Sequence, residues 1–133
     1  MSRENVEAFK RATAATNRRN LEAVLEGLHP EVEWHPALEV LLGGEAAVYR
    51  GYEGVRELFR DSYEAWTEIH TEFSEIRDVG DRLVAIGRIR TPGKESGVEA
   101  ESPLGYLVHF KNGKAIRFWG YLDPKEALEA AGL

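Results

Sequence analysis

His35, Arg88 and His109 are candidate site residues, because an imidazole can move a proton and a guanidinium can hold a charge. The unperturbed pKa of an imidazole lies near neutral pH, so a histidine can give or take a proton under ordinary conditions. His35 stands before Pro36 at a predicted strand end, either as a pocket base or simply as a polar strand end. His109 is predicted either to line a cavity or to lie in water near a hairpin end.

Arg88 alternates with Val84 and Ile86, a pattern that can point it into the core. A buried guanidinium needs a partner, and Glu101 on the neighbouring predicted strand can supply one. The pattern favours a structural salt bridge, and an anion-binding role is the alternative. The sequence has no His-x-His or His-x-x-x-His pair to chelate a metal, so we predict neither a metal site nor a cofactor.

The chain that positions these residues is helical first and extended later. Helical spacing of apolar residues predicts three helices, at residues 2–18, 20–28 and 54–66. A short strand follows the second helix, and alternation then predicts four more, so that the strands lie at 32–35, 69–76, 83–90, 97–110 and 115–122. Ile76 falls one residue out of step, which indicates a bulge. Pro103 cannot donate to a ladder and indicates an edge or a bulge.

The end of the chain predicts a hairpin closed by a short helix. Asn112-Gly113 suits the two positive-φ positions of a two-residue turn. Asp123 is placed to cap the helix, Pro124 suits its first position, and Gly132 ends it. Helices followed by antiparallel strands indicate an α+β domain, and we assign residues 1–133 to one domain.

Composition limits the partners of this domain. The net charge of −6 argues against nucleic acid, because phosphate recognition needs clustered lysine and arginine. No apolar run approaches 18 residues and no secretory leader is visible, so we predict no membrane partner. Cysteine is absent, which fits a reducing compartment, and we predict a cytoplasmic protein.

Six stretches mark the order of the predicted elements: Asn20-Leu21-Glu22, residues 29–34, residues 50–55, Ser96-Gly97-Val98, Asn112-Gly113-Lys114 and Tyr121-Leu122-Asp123. In these stretches and in the order of its elements, the chain resembles the nuclear transport factor 2-like superfamily, and most of all its SnoaL-like branch. The resemblance implies a cone-shaped fold, with three N-terminal helices packed on a strongly curved, mostly antiparallel sheet and a short C-terminal helix. It also implies an apolar cavity, which in this superfamily serves isomerases, cyclases, epoxide hydrolases and pocket proteins without a known reaction.

The resemblance assigns positions to the chemistry of these relatives. The base of the ketosteroid isomerases would correspond to His35. Their oxyanion tyrosine would fall near Ala12 and their acidic donor near Leu107, so both donors are missing. The limonene-epoxide hydrolases carry a catalytic aspartate where this chain has Gly120. A cyclase of the SnoaL type needs an acid/base group at a pocket wall, which His35 could provide.

Regular pairing across the Asn112-Gly113 turn predicts which residues share a face. It sets three pairs on one face, namely His109 with Ile116, Leu107 with Phe118, and Gly105 with Gly120. The resemblance places this face on the cavity. The opposite face would form a homodimer, or else a solvated sheet, through Tyr106, Trp119 and Tyr121.

Two functions follow as hypotheses. The first is an isomerase-, cyclase- or lyase-type enzyme acting by proton transfer on a small apolar molecule, with His35 as base or acid and Arg88 or His109 as its polar partner. The second is a non-catalytic ligand-binding or dimeric interaction domain. Both place a small apolar molecule against the same predicted ligand-binding residues, which are Trp34, Tyr49, Trp66, Leu107, His109 and Phe118. A location of His35 in the cavity wall would favour the first hypothesis.

Overall fold

The computed structural model describes the backbone of residues 2–36, 48–65, 70–92 and 99–133, and the side chains of 3–36, 48–61, 70–90 and 101–133. Four helices lie in this part of the chain: α1 (Ser2–Asn17), α2 (Leu21–Glu26), α3 (Gly51–Ala65) and α4 (Pro124–Ala130). It also contains six strands: β1 (Leu28–His35), β2 (Tyr49–Arg50), β3 (His70–Asp78), β4 (Arg82–Pro92), β5 (Glu99–Lys111) and β6 (Lys114–Tyr121).

The six strands form one curved sheet in the order β2-β1-β6-β5-β4-β3. All neighbours are antiparallel except β1 and β6, which run parallel. This parallel pair joins the first strand of the chain to the last one, so β1 lies beside the closing hairpin. The predicted α+β class, with helices on a mostly antiparallel sheet, is confirmed.

The two faces of the sheet are covered by different helices. We call inner face the side that packs on α1, α2 and α3, and its buried residues include Val32, Trp34, Leu83, Ala85, Val108 and Phe118. The opposite side, the outer face, is covered in part by α4. There Ala127 and Ala131 pack on Val84 and Leu107. The short helix therefore belongs to the other layer from the three N-terminal helices.

Several local predictions are confirmed. Asn112 and Gly113 have φ values of 54° and 78° in the hairpin turn. The Asp123 carboxylate accepts a hydrogen bond from the Lys125 backbone N–H at 3.0 Å and so caps α4. Pro103 pairs with β4 alone, because β6 reaches along β5 only as far as Gly105.

Other element boundaries were predicted wrongly. The second helix ends at Glu26, and β1 begins at Leu28, so His29 and Pro30 lie inside a strand. The third helix begins at Gly51 rather than at residue 54. Gly51 has a φ of +70°, a backbone conformation that glycine adopts without strain.

The predicted pairing of the closing hairpin was also wrong. Lys111 pairs with Lys114 as expected, but the register shifts between His109 and Phe110, and His109 then pairs with Arg117. The β6 strand thus accommodates one extra residue, Ile116, as a bulge. Neighbouring residues of a strand face opposite ways. Beyond the bulge, each residue of β6 therefore shares a face with the β5 residue next to its predicted partner.

The exchange changes the assignment of the hairpin residues. Phe118 pairs with Val108 on the inner face, where Tyr106 also lies. Leu107 pairs with Trp119 on the outer face. The predicted cavity residues Leu107 and His109 therefore lie on the outer face, and Tyr106, predicted at the dimer face, packs against the inner core.

Candidate functional site

A cavity lies between α1 and the inner face of the sheet. Its walls come from α1, α2 and four strands, and the lining residues are Phe9, Ala12, Thr13, Thr16, Val24, Leu28, Trp34, Thr71, Phe73, Tyr106 and Phe118. The cavity has a volume of about 40 Å³, and about 400 Å³ when the space at its open mouth is included. The cavity is therefore narrow in this conformation, and a ligand of many heavy atoms would displace lining side chains.

Among the described residues, the cavity wall has no ionisable group other than the Tyr106 phenol. Two hydroxyls of α1 face their own helix instead. Thr13 donates to the Phe9 carbonyl at 3.0 Å, and Thr16 donates to the Ala12 carbonyl at 2.8 Å. Burying a charge without a partner is very costly, so this wall suits an uncharged molecule.

Aromatic rings form the sheet side of the cavity. Trp34 stacks on Phe118, with ring centroids 4.4 Å apart and an angle of 11° between the planes. Phe118 meets the edge of Tyr106 at 5.9 Å, and Tyr106 lies 5.8 Å from Phe73. Phe59 of α3 meets Trp34 edge-on, with ring centroids 6.0 Å apart. Such contacts fix ring orientations, so the wall is rigid on this side.

The polar groups on the aromatic wall belong to Trp34 and Tyr106. The side chain of Trp34 is buried, and its indole N–H has no hydrogen-bond partner among the described residues. Burial raises the pKa of Tyr106 to about 12, and the nearby Trp34 N–H offsets part of this effect. The two groups are neighbours without the alignment of a hydrogen bond. Tyr106 therefore stays protonated at neutral pH.

An amide clamp holds α1 against the sheet beside the cavity. The Asn17 side-chain nitrogen donates to the Thr71 carbonyl at 2.9 Å, and the Thr71 backbone N–H donates to the Asn17 side-chain oxygen at 3.0 Å. Asn17 thus bonds the backbone of β3 as a neighbouring strand would. This pair of hydrogen bonds sets the distance between the end of α1 and β3, which carries the cavity residue Thr71.

His35 does not line this cavity. It follows Trp34 in β1, so it points to the outer face, where its ring stacks on Trp119 at 5.5 Å and 18°. Partial burial lowers the pKa of His35; the Glu33 carboxylate opposes this shift, and Arg50 adds to it. The expectation of a histidine base in the cavity wall is therefore not met by the geometry.

His109 also lies on the outer face. Its ring meets Trp119 edge-on, with centroids 5.0 Å apart and planes at 71°. Partial burial lowers the pKa of His109, Arg82 and Arg117 act in the same direction, and Asp81 opposes them. Trp119 is thus contacted by two imidazoles.

Arg88 is exposed on the outer face rather than pointing inward. It forms salt bridges with Glu101 at 3.3 Å and with Glu72 at 3.4 Å. Exposed ion pairs of this kind contribute little stability. The structural salt bridge with Glu101 predicted from the sequence is present, but it lies away from the cavity.

Only some of the other predicted ligand-binding residues line the cavity among the described residues. Trp34 and Phe118 line the cavity as predicted. Tyr49 packs against the inner core as a register partner of Trp34 but is not part of the cavity wall. Trp66 lies outside the residues whose structure is described. Sequence reasoning missed Tyr106, whose orientation follows from the bulge in β6.

Neither a metal site nor a membrane span is found in the described part of the chain. No three histidine or carboxylate side chains converge there as they would around a metal ion. None of the described helices combines the length and the apolar run that crossing a bilayer requires.

Comparison with protein families gives one match of wide extent. The family model described as the SnoaL-like domain matches residues 9–118 of the chain. No curated protein sequence matches it.

Solved structures resemble the chain over nearly its whole length. A nuclear transport factor 2-like protein of unknown function from Burkholderia pseudomallei is 26% identical, with a TM-score of 0.80 over 95% of both chains. TerC, co-crystallised with polyporic acid, is also 26% identical, with a TM-score of 0.79 over 98% of this chain and 99% of its own. A nuclear transport factor 2-like protein from Burkholderia thailandensis, 22% identical, has a TM-score of 0.77 over 96% of both chains and is alike in fold.

Proposed function

The chain belongs to the SnoaL-like domain family, and from this premise we propose that it binds a small, uncharged, largely apolar molecule in the cavity between α1 and the inner face. The observation that carries the proposal is the cavity wall, which combines a rigid aromatic side with a helix whose hydroxyls bond their own backbone. Apolar walls with a few placed polar groups are typical of small-molecule sites.

The same geometry favours binding over proton transfer. Tyr106, with a pKa raised to about 12, is a poor base near neutral pH. His35 and Arg88 belong to the opposite face of the sheet, so neither can reach a molecule held against Trp34. The enzyme hypothesis based on His35 therefore has no support in the arrangement of these residues.

A structural neighbour supports the idea of an organic ligand. TerC, which shares 26% identity and nearly the full length with this chain, was co-crystallised with polyporic acid. A chain of this fold and size was therefore crystallised together with an organic molecule, and we transfer only the class of ligand, a small organic compound, to this protein.

Ligand-observed NMR with toluene as an apolar probe tests the proposal. The variant Ala12→Phe places a ring in the cavity and should abolish the saturation-transfer signal of toluene seen with the wild type. Ala14→Phe adds the same ring on the exposed side of α1 and serves as the matched control, which should keep the signal. An unchanged signal in Ala12→Phe, with the fold intact by circular dichroism, would contradict binding in this cavity.

We also propose that two copies of the chain pair through the outer face. Trp119 and Tyr121 are half-buried there and pack beside α4, which leaves aromatic surface at the centre of the sheet. Tyr106 is not part of this proposal because it belongs to the inner core. The cytoplasmic location stays a prediction from the sequence.

A further inference from the structure

The buried indole N–H of Trp34 is an exception to the usual pairing of polar groups. The residue is 7% exposed, and its Nε1 is the one buried side-chain nitrogen or oxygen among the described residues that has no hydrogen-bond partner. A buried donor without a partner destabilises the folded protein, because it has given up its hydrogen bond to water. Such a group calls for an explanation in each structure where it occurs.

The surroundings of Trp34 prevent the ring from turning to find a partner. Phe118 stacks on the ring at 4.4 Å, and Phe59 contacts it edge-on at 6.0 Å. The backbone of Trp34 is fixed between β2 and β6, where it pairs with Tyr49 and Phe118. The N–H therefore keeps its direction, beside the Tyr106 hydroxyl that lines the cavity.

The Trp34 N–H and the Tyr106 hydroxyl are both hydrogen-bond donors. An indole N–H can only donate, and a protonated phenol donates one hydrogen. The hydroxyls of Thr13 and Thr16 already donate to α1. The Trp34 N–H is thus a donor on the aromatic side of the cavity without a hydrogen-bond partner among the described residues. None of the described lining residues is a cation that would balance an anionic ligand.

We propose that the ligand presents a neutral oxygen acceptor, such as the carbonyl of a ketone, aldehyde or ester, to the Trp34 N–H, with the Tyr106 hydroxyl as the second donor. This inference rests on the proposed function of the cavity and adds the chemical class of the ligand. An unpaired donor in the free protein becomes paired in the complex, so the hydrogen bond favours the acceptor-bearing ligand over a hydrocarbon of the same shape.

Three probes of the same size test the inference: acetophenone, its alkene counterpart α-methylstyrene, and the benzoate anion. Dissociation constants are measured for the wild type and for Trp34→Phe, which keeps an aromatic ring but lacks the N–H. We expect Trp34→Phe to raise the dissociation constant of acetophenone by about 5- to 10-fold. The dissociation constant of α-methylstyrene should change by less than about 2-fold. Benzoate should bind at least about tenfold more weakly than acetophenone to the wild type.

The wild type and Trp34→Phe are compared for each probe separately, because the two neutral probes differ in hydrophobicity. Equal effects of Trp34→Phe on both probes would overturn the inference, since they would indicate a loss of shape or a donor already served by water. Tight benzoate binding would overturn the neutral character of the ligand. If none of the three probes binds the wild type, the proposed cavity itself fails, which is a separate outcome.

A second variant and a direct readout keep the test decisive if Trp34→Phe does not fold. Tyr106→Phe removes the second donor. It should raise the dissociation constant of acetophenone by about 3- to 10-fold without a similar effect on α-methylstyrene. In ¹H–¹⁵N spectra the indole proton of Trp34, one of three tryptophans, should move downfield with acetophenone and not with α-methylstyrene. An indole signal that responds alike to both probes would overturn the assignment of the N–H as the ligand donor.

Discussion

His35 and Trp119 are register partners of the parallel β1–β6 pair, and their rings stack 5.5 Å apart on the outer face of the sheet. The preceding partners, Trp34 and Phe118, stack 4.4 Å apart on the inner face. Adjacent residues of the same two strands thus serve two surfaces. The inner pair forms a wall of the candidate ligand cavity, and the outer pair places an imidazole against an indole.

His35 and His109, which both contact Trp119, predict a pH dependence of stability. Burial lowers the pKa of His35 and His109 below the ordinary value of 6.5. The unfolded chain then binds more protons than the folded protein as the pH falls, so the free energy of unfolding decreases as the pH falls through about 6.5. The contribution is complete above that value. Urea unfolding at about pH 7.5 and about pH 5.5 should show a less stable protein at the lower pH.

The double variant His35→Gln, His109→Gln isolates this contribution. Its free energy of unfolding should change less between the two pH values than that of the wild type, because neither glutamine titrates. Toluene binding should stay unchanged, since both residues lie on the face opposite the cavity. A wild-type pH dependence retained in full by the double variant would rule out these histidines as its source.

The clamp between α1 and β3 predicts a loss of stability on removal of one amide. Asn17→Ala deletes both bonds to the Thr71 backbone and leaves a buried N–H and C=O without these partners. We expect a decrease of about 2 kcal/mol in the free energy of unfolding. Asn17→Asp is the matched variant: it keeps the acceptor for the Thr71 N–H but sets a carboxylate oxygen against the Thr71 carbonyl, so it should also be less stable than the wild type. Equal stability of Asn17→Ala and wild type, by chemical denaturation, would contradict the role of the clamp.

The contact between α4 and β5 predicts that Gly105 tolerates no side chain. A Cβ there would lie 2.9 Å from the Ala127 Cβ and 3.0 Å from the Pro124 Cα, so α4 would have to move away. Gly105→Ala should destabilise the protein by about 1–3 kcal/mol. Gly27→Ala is the control, because its Cβ meets only the Val24 carbonyl at 3.7 Å and its φ is −88°. A melting temperature of Gly27→Ala below that of Gly105→Ala, measured by thermal unfolding, would show that α4 is not tightly docked.

The fold was predictable because its signals are local and repeat along the chain. The turn at Asn112-Gly113 and the Asp123 cap each follow from residue types at short spacing. The face of each hairpin residue was not predictable in the same way. It depends on the extra residue Ile116 in β6, and no residue type at that position marks a bulge.

The same limit explains which site residues were found. Trp34 and Phe118 both line the cavity, and Phe118 was placed there although its predicted partner was Leu107 rather than Val108. Tyr106 was assigned to the wrong face because its orientation depends on the bulge. The unpaired indole N–H is a property of three-dimensional packing, which the sequence alone does not report.

The proposed dimer predicts a mass of twice the 15.0 kDa of the chain in light scattering at micromolar concentration. Trp119 lies at the centre of the outer face, so Trp119→Glu should bury a charge in the interface and yield the monomer mass. Ser74→Glu adds the same charge on β3, away from Trp119, and serves as a matched control that should leave the dimer intact. Toluene binding measured on the Trp119→Glu monomer separates the two surfaces, since the cavity should remain functional. A wild type that scatters as a monomer would disprove pairing through this face.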